Sequence, residues 1–324
     1  MPTNKLIVGA YATAPSTTGI WDASIESQYY SKLAQHPLIG GIEHPFTGSL
    51  HPHDDQWFLE NIAEHWRIVF TSIPGVMAQL SQDATFGIAS TCQHGRAKAM
   101  AFYKQASQAI HQLNQHCSRQ VVSHIQIHSA PVNQQGKASK AALVKSLTEL
   151  ASWDWHGAKL VLEHCDAFIE DNPIQKGFLG LEDEVAAIKT VNTTLGCDIG
   201  MSINWGRSAI EGKSAQTPLT HIQQLSAAGL LRGLVFSGAT DQLQSAYGAW
   251  ADSHVPVKDA DDINYCVNES LMTKKRIAQA INNCHQPLEF VGGKISLQPN
   301  TFTVDERVGY NDNLLQTIAT QLAS

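Results

Sequence analysis

Leu160-Val161-Leu162-Glu163-His164-Cys165-Asp166 is a short apolar run that stops abruptly on a glutamate, a histidine and an aspartate. Such a run reads as a strand buried on both faces, the form that strands take in parallel sheets covered by helices. Polar groups at its C-terminal end face whatever cavity lies there, which is where barrel enzymes carry their catalytic side chains. The same pattern recurs along the chain. Strands are predicted at Leu6–Ala12, Leu38–Glu43, Arg67–Ser72, Val121–His128, Lys159–Glu163, Asp198–Asn204, Leu234–Ser237 and Leu288–Leu297. Amphipathic spacing between them predicts helices at Ser24–Gln35, Asp54–Trp66, Gly95–His116, Ser139–Trp153, Glu182–Val191, Leu219–Ala228, Leu271–Asn282 and Asn311–Leu322. Alternation of this kind favours parallel strands joined by right-handed crossovers. Eight units in 324 residues fit a single α/β domain, a closed (β/α)8 TIM barrel over residues 1–324.

Composition narrows the partners. With 43% hydrophobic residues the chain can bury a large core, and 22 Lys plus Arg against 29 Asp plus Glu leave a formal charge of -7. That balance argues against nucleic acid as a partner, because a phosphate backbone is held mainly by positive charge. The N-terminus, Met1-Pro2-Thr3-Asn4-Lys5, leads straight into Leu6-Ile7-Val8 with neither a leader-like apolar segment nor a cleavage site. No apolar run approaches the roughly 18 residues that span a bilayer, so no membrane is expected. The six cysteines show no CxxC spacing and read as reduced thiols of a cytoplasmic protein. A homodimer is the base expectation for a barrel with exposed helices.

An open dinucleotide-binding sheet would need a G-x-G-x-x-G turn after the first strand. Val8-Gly9-Ala10-Tyr11-Ala12-Thr13-Ala14-Pro15 lacks that spacing, and no Walker-type loop occurs, so no nucleotide cofactor is expected. Gly292-Gly293-Lys294 reads either as a phosphate cradle or as glycines easing a strand past a crowded neighbour.

In a barrel the polar strand ends converge on one mouth. Glu43 and His44 close the second strand, His128 the fourth, Glu163 to Asp166 the fifth and Asn204 to Arg207 the sixth. The seventh ends in Ser237-Gly238-Ala239-Thr240, and its long loop carries Trp250-Ala251-Asp252-Ser253-His254. A carboxylate ending a buried strand needs a partner or a task, since an unpaired buried charge costs several kcal/mol. Glu163 therefore reads as catalytic, with an ion pair to Arg207 as the structural alternative. His128 reads as a strand-end acid/base or as a hydrogen-bonded core histidine. Asp252 and His254 offer one oxygen and one nitrogen to a divalent ion if their loop folds over the mouth. Glu43, His44, Asn204, Trp205, Ser237 and Trp250 are candidates for substrate binding. The tryptophans, Trp153 and Trp155 among them, suit either sugar stacking or packing. His51 and His53, in a turn-rich loop, are expected to be solvated.

At these residues the chain resembles the xylose isomerase-like TIM barrels, which include sugar isomerases, ketose 3-epimerases and endonuclease IV-type nucleases. Thr71-Ser72-Ile73-Pro74-Gly75, His128-Ser129-Ala130-Pro131, Glu163-His164-Cys165-Asp166, Asn204-Trp205-Gly206-Arg207-Ser208 and Phe236-Ser237-Gly238 resemble, more closely, a bacterial family within it of unknown function. The likeness runs from Gly9 to Pro299. It implies that Glu163 matches the metal-binding acid/base glutamate of the epimerases. The remaining positions depart from the superfamily. Asn204 stands where an aspartate ligand is usual, Arg207 where endonuclease IV-like members place a histidine, and Ser237 where a histidine is usual. Glu289 and Lys294 are the nearest residues to the second glutamate.

Two versions of the site follow. In one, a divalent metal (Mn, Mg or Zn) is held by Glu163, His128, Asp252 and His254. In the other, Arg207 and Lys294 supply fixed positive charge to an enediolate or oxyanion while Glu163 or a histidine moves the proton. The favoured reading is an isomerase or epimerase acting beside a carbonyl of a small carbohydrate-like substrate. The alternatives are a metal-dependent hydrolase or lyase of a glycoside or phosphoester, and a non-catalytic sugar-binding barrel.

Overall fold

The structure, a computed structural model, describes residues 5–172 and 175–323. The first four residues, where no leader is expected, lie outside the described part. Eight parallel strands close into one barrel in sequential order. They are β1 (Leu6–Val8), β2 (Ile39–Pro45), β3 (Arg67–Thr71), β4 (Val122–Ile127), β5 (Lys159–His164), β6 (Gly200–Asn204), β7 (Leu231–Phe236) and β8 (Phe290–Gly293). Helices α1 (Ala23–Gln35), α2 (Asp55–Asn61), α3 (Ile73–Gln82), α4 (Gln93–His116) and α5 (Lys140–Ala151) accompany the first half. Then come α6 (Leu181–Leu195), α7 (Trp205–Glu211), α8 (Thr217–Ala228), α9 (Lys274–Asn282) and α10 (Val304–Ala323). Among the described residues no helix is long and apolar enough to cross a membrane, and all six cysteines are free.

Side-chain caps fix several helix starts. Asp22 accepts from the backbone N–H groups of Ser24 and Ile25, Asp54 from Trp57, Ser139 from Ala142 and Thr273 from Arg276. Helices α6 and α8 end on Gly196 and Gly229 at φ +64° and +70°, a left-handed backbone that favours glycine.

Side chains alternate across each strand, so one set fills the barrel and the other faces the helices. Ile7, Val69, Val161, Val235 and Phe290 form an apolar cluster of their own inside. Val8, Ile42, Phe70, Ile125, Leu162, Ile203 and Leu234 join the large core between sheet and helices. Cross-barrel bonds confirm the phase: the Gln126 amide donates to Ser202 Oγ at 3.2 Å, and Lys294 Nζ reaches Glu43 Oε1 at 2.6 Å.

Several sequence-predicted bounds are corrected. Strand β1 stops at Val8 because Ala10–Ala12 turn into a 3-10 helix, and β8 is confined to Phe290–Gly293. Helix α2 spans only Asp55–Asn61, and α9 begins at Lys274. Helices α3 and α7, each starting directly after a strand, lie in segments for which the spacing predicts no helix. His51 is buried rather than solvated: its ring lies against Trp21, Trp57 and Phe58, and its Nδ1 accepts from the N–H of Asp54 at 3.1 Å. Glu289 precedes β8 and so sits at the opposite end from the mouth. There it binds His124 Nε2 and Lys159 Nζ, each at 2.8 Å, closing the barrel floor.

Candidate functional site

The last inward positions of the strands meet at the C-terminal mouth. Glu163, ending the inward row of β5, is 1% exposed, and His128, just beyond β4, is fully buried. His128 Nε2 lies 2.8 Å from Glu163 Oε2, and its Nδ1 lies 3.0 Å from Ser72 Oγ. The Tyr103 hydroxyl accepts from the His128 backbone N–H at 3.2 Å and sits 2.9 Å from Ser72 Oγ. Burial pushes the His128 imidazole below its ordinary pKa, although the bond to Glu163 opposes the shift. Burial thus favours the neutral ring, with the Nε2 proton donated to the carboxylate, while the Ser72 hydroxyl that faces Nδ1 also donates to Gln126 O at 2.8 Å.

Arg207 enters from the first turn of α7, whose N-terminus is capped by the Asn204 side chain accepting the Arg207 N–H at 3.3 Å. The cap that ends β6 thus also aims the guanidinium. Arg207 Nη1 lies 2.8 Å from Glu163 Oε2, and Nε lies 3.2 Å from Asp252 Oδ2. Lys176 Nζ meets the same Asp252 oxygen at 2.8 Å. The loop after β7 does fold back over the mouth, pinned by paired backbone bonds between Gly238 and Val255 at 2.9 Å. His254 Nδ1 stands 3.4 Å from Asp252 Oδ1 and 3.0 Å from Ser237 Oγ.

Across the mouth Lys294, fully buried, bonds Glu43 Oε1 at 2.6 Å and the Tyr11 hydroxyl at 3.2 Å. Gly9 makes room for it, since a Cβ there would stand 2.7 Å from Lys294 Cγ. Glu163 Oε1, Glu43 Oε2 and Asn204 Nδ2 are buried without a hydrogen-bond partner. Buried polar atoms are seldom left so, and these are free to meet a ligand.

The charges are held in place by one another. Burial by itself would raise the Glu163 carboxyl, but Arg207, the His128 N–H and Lys294 outweigh it and hold the group well below the usual carboxylate range. Asp252 is likewise raised by burial and more than compensated by Arg207 and Lys176. Burial drives His254 down to about 3, Asp252 opposing, so its ring is neutral. Lys294 stays charged: burial disfavours this, but Glu43 and Tyr11 raise it above its usual value.

A pH dependence follows. A carboxylate depressed in the native state adds stability that is complete above its ordinary pKa, 3.8 for Asp252 and 4.5 for Glu163. That contribution is lost as the pH falls from there through the native value. Thermal melts taken from neutral pH downwards should show a less steep acid limb in Asp252→Asn than in the wild type; matching limbs would contradict the pairing.

The expected residues divide. Glu163, His128, Arg207, Lys294, Glu43, Asn204, Ser237, Asp252 and His254 stand at the mouth. His44 does not: it follows Glu43, so alternation turns it outward, where it stacks on Phe58 with ring centroids 3.8 Å apart. Trp205 packs into the core between sheet and helices. Trp250 is half-buried in the covering loop, its backbone N–H donating to Thr240 O at 2.8 Å. Tyr11, Ser72, Tyr103 and Lys176 were missed. Tyr11 carried a signal, since it lies just past the first strand.

A candidate metal-ligand group is present: His128, Glu163 and Cys165 bring ligand atoms within 4.8 Å of one another, with Asp252 and His254 outside the group. The donors fit an ion poorly. Arg207 Nη1 already occupies the space 2.8 Å from Glu163 Oε2 and 3.6 Å from Cys165 Sγ. Burial also pushes the Cys165 thiol well above its ordinary value, whereas a metal binds thiolate. As arranged, the guanidinium bridges Glu163 and Asp252 in the place that a divalent cation would take.

Residues 7–310 match the family model described as a domain of unknown function, DUF4862. The chain is 36% identical over 292 residues to the uncharacterized protein STM3670 of Salmonella typhimurium, covering 89% of this chain and 88% of that protein. Among solved structures it is similar to a D-tagatose 3-epimerase-like protein, with TM-score 0.56, 14% identity, and 91% and 94% of the two chains covered. A D-allulose 3-epimerase from Methylomonas sp. with D-allulose bound gives 0.54 at 14% identity, covering 99% and 97%. A xylose isomerase domain protein from Planctomyces limnophilus gives 0.53 at 10% identity, covering 100% and 99%. At such identities the likeness is one of fold.

Proposed function

This chain belongs to the DUF4862 family, on the xylose isomerase-like TIM-barrel fold, and from that premise we propose that it moves a proton beside a carbonyl of a small carbohydrate or sugar derivative, as an isomerase or epimerase. The observation that carries the reading is Glu163: a buried carboxylate at the end of β5, one oxygen held by His128 and Arg207 and the other without a partner.

In this reading the substrate's carbonyl and neighbouring hydroxyl oxygens take hydrogen bonds from Arg207 and Lys294. Two fixed, buried cations favour the negative oxygen that forms when the adjacent carbon loses its proton. Drawing Arg207 toward the substrate loosens its hold on Glu163, and the carboxylate gains the basicity that it lacks when tightly paired. Glu163 accepts the carbon-bound proton and the electron pair moves into an enediolate. Returning the proton to the neighbouring carbon gives isomerisation. Returning it to the same carbon from the opposite side gives epimerisation, for which Glu43, with a free oxygen of its own, is the second carboxyl group. Asn204 Nδ2 and Ser237 are left to orient hydroxyls. The Glu163 and Asp252 carboxylates converge on the Arg207 guanidinium.

The test is a panel of ketoses and their derivatives incubated with the protein in deuterated water, with and without Mn or Mg. Deuterium at a carbon beside the carbonyl, independent of added ion, is the expected result; no exchange into any member of the panel overturns the reading.

A further inference from the structure

A second convergence of ligating side chains lies outside the barrel, between β5, α7 and α8. His164 follows Glu163 and therefore points to the helix side, Glu211 ends α7, and His221 lies on α8. His164 Nε2 stands 2.9 Å from Glu211 Oε2, and His221 Nε2 stands 3.5 Å from Glu211 Oε1. The three residues bring one ligand atom each within 4.8 Å of the others. In a tetrahedral zinc site, metal bonds of about 2.0–2.2 Å put neighbouring ligand atoms roughly 3.3 Å apart. The two nitrogen-to-oxygen separations bracket that spacing.

Both imidazoles are held from behind. His164 Nδ1 lies 2.6 Å from Glu184 Oε2, and the other Glu184 oxygen accepts the Ser129 hydroxyl at 2.5 Å. His221 Nδ1 lies 3.0 Å from Ser208 Oγ. A carboxylate or hydroxyl on the distal nitrogen is the support that metal-binding histidines typically have, since it fixes the tautomer and turns the other nitrogen to the ion. Glu211 is oriented too, Oε2 accepting the Ala167 N–H at 2.8 Å. A simple buried ion pair accounts for His164 between two glutamates. It does not account for a second imidazole, with its own hydroxyl support, directed at the same carboxylate.

The cluster is reachable. A cavity of about 380 Å³ opens beside it, lined in part by Glu211 and His221 and by the acidic Glu182 and Asp183, which favour an approaching cation. We propose that His164, Glu211 and His221 form a zinc site, separate from the mouth, whose fourth position opens on this cavity. Bound there, the ion ties α7 and α8 to the end of β5. The proposal is independent of the reaction at the mouth and stands if that reading fails.

Protein stripped with EDTA and titrated calorimetrically with zinc chloride should bind one equivalent. His221→Ala, shown to be folded by circular dichroism, should weaken binding by more than the roughly 10–100-fold that loss of an outer-shell partner costs, and Glu211→Gln should weaken it too. His128→Asn, which disrupts the candidate ligand group at the mouth, should leave it unchanged. X-ray absorption at the zinc edge should show two imidazole ligands with oxygen completing the shell. A wild type that binds no zinc overturns the proposal, as does binding that survives both His221→Ala and Glu211→Gln or that His128→Asn abolishes. Should His221→Ala not fold, Glu211→Gln and the wild-type absorption spectrum still decide.

Discussion

Glu163→Gln is expected to lower the rate of solvent-deuterium exchange into the substrate by about 10²–10⁴, the range that a positioned general base supplies. The substitution keeps shape and hydrogen-bonding capacity while removing the basic oxygen. Its effect on folding should be modest, because Arg207 retains Asp252 at 3.2 Å and the amide can still accept from His128. The measurement is exchange by mass spectrometry on a variant whose unfolding midpoint matches the wild type. Exchange preserved within about tenfold would assign the proton to another group and remove Glu163 from the mechanism.

Arg207→Met should give the largest loss of stability at the mouth, about 3–5 kcal/mol in denaturant unfolding at neutral pH. Methionine fills much of the volume but leaves the Glu163 carboxylate buried against a neutral imidazole. Lys176 still meets Asp252 at 2.8 Å, so the stranded charge is mainly that of Glu163. The double variant Arg207→Met/Glu163→Gln should accordingly recover part of the loss, since it removes the orphaned charge along with its partner. Additive losses in the double variant would mean that the two residues do not form the pair on which the charge assignment rests.

The strand ends show what could be read before folding. Glu163, His128, Asn204, Lys294 and Glu43 each close a short apolar run, and period-two alternation sends the last inward residue of every strand to the same mouth. The pair Glu43-His44 marks where that reading overreached. Neighbours on a strand point to opposite faces, so both could not enter the cavity, and the phase that admits Glu43 seats His44 on Phe58. The same phase put His164 outside next to Glu163 inside. Glu289 illustrates a different limit: it abuts the eighth strand, but at the wrong end, where it binds His124 and Lys159.

By itself the sequence determined the alternating strands and helices, the closed barrel that they build, and which residues end each strand, because these follow from hydrophobic spacing over a few consecutive residues. Only the tertiary structure decided that Arg207 bridges Glu163 and Asp252, that Lys176 joins them, and that Glu211 and His221 meet His164. Those contacts join residues 10 to 76 positions apart in the chain. Their distances are set by the closure of the barrel and the packing of its loops, and no local periodicity encodes them.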